Sequence, residues 1–148
     1  MHRKDQGRLP ESVLIFAYSP TRTVLVKDKK FLEPRWKLPG GGVETSDEDR
    51  TEAAIRECRQ ETGITLSRED FLFCTWIQHC DGHYQYIFVA EVTEEQIDSR
   101  LKIGDENGRP IQVAAFETAE VPTMLDLLEK HRPLIAEALG TTNAFAVR

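Results

Sequence analysis

The stretch that most constrains this chain runs from Gly42 to Ile64, where a glycine run passes into a segment rich in carboxylates. It begins at the end of the run Gly40–Gly42, and Glu57 and Glu61 stand four residues apart near its end. On an α-helix that spacing puts both carboxylates on one face, where like charges cost about 0.2–0.5 kcal/mol unless a cation lies between them. A glycine loop followed by a helix with a paired acidic face predicts a site for a hard metal ion and a phosphate.

Local signals place the helix of this stretch at about Asp47–Thr62. Thr45 with Glu48 three residues later matches the capping-box pattern, although Ser46 or Asp47 could cap the helix instead. Gly63 is a natural helix stop. Acidic residues crowd the first turn, where the helix dipole favours negative charge. The helix therefore starts directly behind the glycine run.

Segments of β-branched, aromatic and alternating apolar residues make up most of the remaining chain. They predict strands at Ser12–Tyr18, Arg22–Lys27, Trp36–Leu38, Phe71–His79, Tyr84–Val92 and Ile111–Glu117. The pair Asp81-Gly82 between two of these strands is a strong hairpin signal. Residues 93–100 have weak helical character.

A closing helix is predicted over Leu125–Leu139, either kinked or divided in two at Pro133 and ending at Gly140. His131, near the end of a helical turn, is expected to be a surface cation. A mixed sheet sandwiched between helices follows from the layer rule, which gives an α/β fold.

Length and composition predict one soluble domain over residues 1–148, with loose tails at 1–10 and 141–148. The 19 basic and 25 acidic residues give a net charge of −6, which argues against a protein that grips nucleic acid, and no DNA-binding segment is visible. Three cysteines without a C-x-x-C motif fit a reducing cytoplasm. No apolar run approaches the roughly 18 residues that a membrane span needs.

The spacing within Gly42–Ile64 resembles the signature of the Nudix hydrolase family, Gly-x5-Glu-x7-Arg-Glu-U-x-Glu-Glu-x-Gly-U, where U is a bulky apolar residue. The positions that fall on it are Gly42, Glu48, Arg56, Glu57, Cys58, Glu61, Gly63 and Ile64. The preceding Arg35–Gly41 also looks like the usual lead-in of the family. The resemblance implies an α/β/α sandwich and a hydrolase that cleaves a diphosphate bond.

The resemblance also implies roles for individual residues. Mg²⁺ or Mn²⁺ would be held by Glu57, Glu61 and the carbonyl of Gly42, and Arg56 would orient a glutamate through a charge-assisted hydrogen bond. Glu48 is expected to be structural. From spacing alone, Glu52, four residues before Arg56, is the ordinary partner for that guanidinium.

One position departs from the signature, because Gln60 stands where the family has the first glutamate of a pair. An amide oxygen can still coordinate Mg²⁺ but brings no charge, so metal affinity or the number of bound ions should fall. Three explanations stay open: another carboxylate compensates, the protein is a weak enzyme or a binding module, or Gln60 is an introduced isosteric change. The candidate carboxylates are Glu44, Asp105, Glu106, Glu117 and Glu120, of which Glu44, Asp105 and Glu106 are also candidates for a general base.

Substrate contacts are predicted at the lead-in, from Arg35, Trp36, Lys37 and Gly41. The two cations would reach phosphates, and Trp36 would stack a base unless it belongs to the core, as aromatic residues in strands usually do. The expected reaction is metal-assisted attack of water on phosphorus in a nucleoside diphosphate linked to another group. The alternative is a Nudix-fold sensor that binds a nucleotide without efficient turnover. Dimers are common in the family, but nothing in this sequence indicates one.

Overall fold

The computed structural model describes residues 8–28, 32–79, 82–101 and 111–146. Within these residues the chain forms seven strands, three α-helices and several short 3₁₀ turns. The strands are β1 (Arg8–Tyr18), β2 (Arg22–Asp28), β3 (Trp36–Lys37), β4 (Gly40–Glu44), β5 (Phe71–Gln78), β6 (Tyr84–Glu91) and β7 (Ile111–Glu117). The helices are α1 (Arg50–Thr62), α2 (Glu94–Arg100) and α3 (Arg132–Ala146). No helix in this part of the chain is long and apolar enough to cross a membrane.

The strands form one mixed sheet in the order β3-β2-β1-β6-β5, with β4 also paired to β1 and β7 to β2. β1 pairs in parallel with β6, whereas its pairings with β2 and β4 are antiparallel. The predicted hairpins β1–β2 and β5–β6 are both present. Gly82 turns the second of them with φ 87°, a conformation that glycine adopts freely, while Cys80 and Asp81 lie outside the described residues.

Alternate side chains of β1 pack into two hydrophobic cores, one on each face of the sheet. Val13 and Ile15 pack on the face that α1 covers with Ala53, Ala54 and Cys58. Leu14 and Phe16 pack on the opposite face against Leu134 and Ile135 of α3. Fully burying one such large side chain contributes about 1.5–3 kcal/mol. The expected α/β/α sandwich is confirmed.

Helix α1 begins later than predicted, and the capping box at Thr45 and Glu48 is wrong. Asp49 is the N-cap, and its Oδ1 accepts the Glu52 N–H at 2.9 Å. The end is as predicted: Gly63 adopts φ 83° and its N–H bonds the carbonyl of Arg59.

The glycine run is predicted to be a loop. In the structure it belongs to the strand β4. Its backbone pairs with β1 in the register Ser12–Gly42, Val13–Gly41 and Leu14–Gly40. A strand holds these glycines rigidly under α1, which a free loop would not do.

The C-terminal prediction is wrong in three respects. The helix α3 starts at Arg132, so Pro133 lies in its first turn, where a missing N–H is tolerated and no kink follows. Gly140 lies inside α3 instead of ending it. His131 is buried, with 4% of its surface exposed, and is not a surface cation. Of the predicted loose tails, residues 8–10 instead belong to β1 and 141–146 to α3, and the rest lies outside the described residues.

Candidate active site between strand β4 and helix α1

Glu57 and Glu61 lie one turn apart on α1 and are buried, with 8% and 5% of their surfaces exposed. The N–H of Gly40 donates a hydrogen bond of 3.0 Å to Glu61 Oε1. A Cβ added at Gly41 would lie 2.4 Å from Glu57 Oε2, well inside van der Waals contact. A side chain at position 41 would therefore displace the carboxylate of Glu57, which packs directly against that backbone.

Arg56 connects the helix, the strand and the turn between them. Its Nη1 donates to Glu57 Oε2 at 3.0 Å and its Nη2 to the carbonyl of Gly42 at 3.0 Å. Its Nε and Nη2 also bind the two carboxylate oxygens of Asp47, at 2.9 and 2.8 Å. The hydrogen bonds to Asp47 are the largest cause that raises the pKa of Arg56. The guanidinium stays charged and is held in one orientation.

Asp47 is the residue of this site that sequence reasoning missed. Only 6% of its side chain is exposed, and the Arg56 hydrogen bonds lower the pKa of its carboxyl. It also accepts the N–H of Glu44, in a turn that its own N–H closes on the Glu44 carbonyl. The expected partner, Glu52, instead binds Arg68 at 2.7 Å. No standard turn pattern marks Asp47 in the sequence, because its side chain bonds the N–H of Glu44 three residues earlier and the guanidinium of Arg56 nine residues later.

The donor set of the site fits a hard divalent cation. Asp47, Glu57 and Glu44 lie 2.8, 3.0 and 3.8 Å from Arg56, so three carboxylates surround one guanidinium, and Glu61 lies one turn beyond Glu57. The nearby carbonyl of Gly42 and the amide of Gln60 add neutral oxygens, and oxygen-only ligands suit Mg²⁺ or Mn²⁺. In the described residues no three His, Cys, Asp or Glu side chains are placed to hold a metal ion by themselves. A cation here would therefore need backbone, amide or water oxygens beside Glu57 and Glu61.

Gln60 is half-buried on the same side of α1 as Arg56. Its Oε1 accepts a long hydrogen bond of 3.4 Å from Arg56 Nη1. The amide thus extends the hydrogen-bonding network of Arg56 without adding charge to it.

The carboxylates proposed to compensate for Gln60 are scattered. Glu44 lies beside Arg56, with Oε2 3.8 Å from Nη1. Glu117 is exposed at the end of β7, opposite Arg22, and Glu120 is exposed in the 3₁₀ turn that follows. Asp105 and Glu106 lie outside the described residues. Of the described candidates, Glu44 is the one that the fold brings beside the side chains of the signature.

The predicted substrate residues separate into two groups. Trp36 is only 6% exposed and packs edge-on against Phe116 at 4.8 Å, so its indole is part of the core and is not placed to stack a base. Arg35 is exposed, and Lys37 is half-buried. Together with Lys130 these two cations line an open cleft of about 440 Å³, which Asp28 and Glu33 also line.

A model of the NUDIX domain matches residues 8–138, which is most of the chain. The chain belongs to the Nudix family. A relative from Mus musculus, diphosphoinositol polyphosphate phosphohydrolase 3-alpha, is 31% identical over 121 residues, which cover 78% of this Nudix chain and 65% of the mouse protein. The chain thus spans a little under two thirds of the length of that relative.

Solved structures share the Nudix fold over nearly the whole chain. A mutT/nudix family protein from Listeria innocua superposes with a TM-score of 0.69 at 22% identity, over 97% of this chain and 98% of that one. The NUDIX domain of Shewanella oneidensis NrtR, solved as a complex with ADP ribose, gives a TM-score of 0.65 at 19% identity, over 96% and 94%. At these identities the similarity shows the fold alone.

Proposed function

We propose that this protein is a Mg²⁺- or Mn²⁺-dependent hydrolase that cleaves the diphosphate bond of a nucleoside diphosphate linked to another group. The observation that carries the proposal is the convergence of Glu57 and Glu61 on the glycine strand β4, with Arg56 bonded to Glu57. Buried carboxylates this close together are expensive to keep charged unless a cation joins them. The mouse relative, whose name describes a phosphohydrolase of diphosphorylated substrates, supports the same reaction class.

In the proposed reaction, some residues of the site would bind the cation and others would orient these ligands. Glu57, Glu61 and the carbonyl of Gly42 would hold the cation, which supplies charge stabilisation at phosphorus and a more acidic water. Arg56 orients Glu57, and the N–H of Gly40 orients Glu61. Glu44, the described candidate for a general base, lies beside Arg56 at the edge of this group.

Fewer observations support a nucleoside in the substrate than support the hydrolysis of a diphosphate bond. The open cleft offers a phosphorylated ligand three cations, Arg35, Lys37 and Lys130, together with the carboxylates of Asp28 and Glu33. Cations do not distinguish a nucleotide from another phosphate ester. Diphosphorylated inositol phosphates therefore belong in the substrate panel beside nucleotide derivatives.

The test is hydrolysis of that panel with Mg²⁺ or Mn²⁺ by the starting protein and by Glu61→Gln, Gln60→Glu and Glu52→Gln. Loss of the Glu61 charge should lower kcat/KM at least about 100-fold, the range seen when one electrostatic contact to the reaction is removed. Glu52→Gln makes the same chemical change on the same helix, at a side chain bonded to Arg68 instead, and should stay within about threefold.

Gln60→Glu restores the family signature and should raise metal affinity or turnover. If neither the starting protein nor Gln60→Glu hydrolyses any member of the panel, the proposal of an enzyme is wrong. Full activity in Glu61→Gln would instead refute the metal assignment.

A second candidate function is a sensor that binds a nucleotide without efficient turnover. Gln60 favours it, because its amide oxygen faces Arg56 where the signature has a carboxylate. A nucleotide that raises the melting temperature of the protein, but is not consumed in the presence of Mg²⁺, would support this function over the first.

A further inference from the structure

The corner between β3 and β4 sets the position of the N–H that binds Glu61. It consists of Leu38 and Pro39, followed directly by Gly40. The carbonyl of Pro39 accepts the N–H of Ile15 at 2.9 Å, and the N–H of Gly40 bonds Glu61 at 3.0 Å. Whatever fixes Leu38 therefore acts two residues away from the N–H that binds a candidate metal ligand.

The outer edge of β3 is paired with the segment that precedes α3. Trp36 donates its N–H to the carbonyl of Asp126 at 2.9 Å and accepts the N–H of Leu128 at 2.8 Å, as in a parallel ladder around Leu127. The next donor of that ladder is the N–H of Leu38, and its regular acceptor would be the carbonyl of Leu128.

That regular acceptor has another partner. The chain turns into the 3₁₀ segment Glu129–His131, and the carbonyl of Leu128 accepts the N–H of His131 at 3.0 Å. The side chain of His131 replaces that carbonyl as the hydrogen-bond acceptor: its Nδ1 accepts the Leu38 N–H at 3.1 Å. An imidazole thus completes a backbone ladder at a buried edge.

The imidazole must be unprotonated at Nδ1 to accept this bond. Burial is the main cause that lowers the pKa of His131 to about 4, and the charges of Lys130 and Lys37 lower it further. The ring is therefore neutral near pH 7. Both His131 and Leu38 are buried, so the N–H would have no water to replace the acceptor.

We propose that His131 is a positioning residue of the Nudix site, which holds Leu38 and thereby keeps the N–H of Gly40 on the carboxylate of Glu61. This inference rests on the proposed function and extends it to a residue 70 positions beyond the ligand it serves. A residue with only a packing role would need the right volume but no acceptor at Nδ1.

The test compares His131→Asn, whose amide oxygen can occupy the place of Nδ1, with His131→Leu, which fills similar space without an acceptor. In His131→Leu the amide of Gly40 should exchange with solvent at least tenfold faster, and Mg²⁺ titrated by calorimetry should bind at least threefold more weakly. Its kcat should fall about tenfold or more while KM changes less than threefold. His131→Asn should recover most of each loss.

Ile135→Ala is the control for destabilisation alone, because Ile135 is fully buried on α3 and takes no part in the ladder. It should lower the melting temperature without faster exchange at Gly40, and all kinetics are measured well below that temperature. The proposal is overturned if His131→Leu behaves like Ile135→Ala, or if His131→Asn is as impaired as His131→Leu. Should the starting protein hydrolyse nothing, the proposed function fails, while amide exchange and Mg²⁺ binding still decide the role of His131.

Discussion

His131 makes the stability of this protein depend on pH in a window that can be stated in advance. In the folded chain burial lowers its pKa from the usual 6.5 to about 4, so folding excludes a proton that the unfolded chain binds. Stability from this group is complete above pH 6.5, is lost as the pH falls towards 4, and changes no further below that. The difference between the two pKa values corresponds to about 3 kcal/mol of unfolding free energy.

The assay is urea unfolding of the starting protein and of His131→Asn at intervals from pH 7.5 to 4. Asparagine keeps an acceptor for Leu38 but does not titrate, so carboxylates that protonate in both proteins cancel in the difference. We expect the advantage of the starting protein over the variant to shrink by about 3 kcal/mol across this range. A difference that stays constant within about 0.5 kcal/mol would mean that folding does not change the affinity of His131 for protons. That result would refute the claim that burial lowers the pKa of His131 in the folded chain.

Three further substitutions test the site and its surroundings. Gly41→Ala puts a methyl group 2.4 Å from Glu57 Oε2 and should lower kcat/KM at least about 100-fold in the hydrolysis assay. Gly140→Ala is the matched control: nothing lies within 4 Å of the added Cβ inside α3, so it should raise the unfolding free energy by about 0.5–1 kcal/mol. Asp47→Asn weakens the charged bonds to Arg56 and should lower stability at pH 7 by about 1–3 kcal/mol in chemical denaturation. Because Arg56 lowers the pKa of Asp47, that loss should shrink as the pH falls into the acidic range.

The parts of the fold that sequence reasoning predicted are those with a local cause. β1 can be predicted because an unbroken apolar run must be buried on both faces. Its alternate residues do belong to two separate cores. The end of α1 can be predicted because Gly63 readily adopts the left-handed conformation that ends a helix. The signature Gly42–Ile64 is also local, so the register of Glu57 and Glu61 could be stated without knowledge of any partner strand.

The errors have tertiary causes. The start of α1 differs from the prediction because several acidic residues in a row can each cap a helix, and the use of Asp49 as the cap leaves Asp47 for Arg56. The glycine run predicts a loop because glycine is depleted in strands; here the close approach of Glu57 to Gly41 outweighs that preference. The polarity of His131 predicts a surface position, whereas its partner, Leu38, is 93 residues away in the chain.

These contacts divide the site into a part that the signature encodes and a part that it does not. The signature places Arg56, Glu57 and Glu61 on one helix and includes the bond from Arg56 to Glu57. Further contacts that orient Arg56 and Glu61 come from outside the signature or from its variable positions. Asp47 occupies one of the variable positions, and the Gly40 N–H depends on a corner whose outer edge is closed by residues 126–131. A chain that keeps the signature but loses either support would keep the ligands and lose their geometry. Gln60 tests the converse, since it alters a signature position while leaving Asp47 and the corner in place. If Gln60→Glu gains activity while His131→Leu loses it, charge and geometry act as separable requirements of this site.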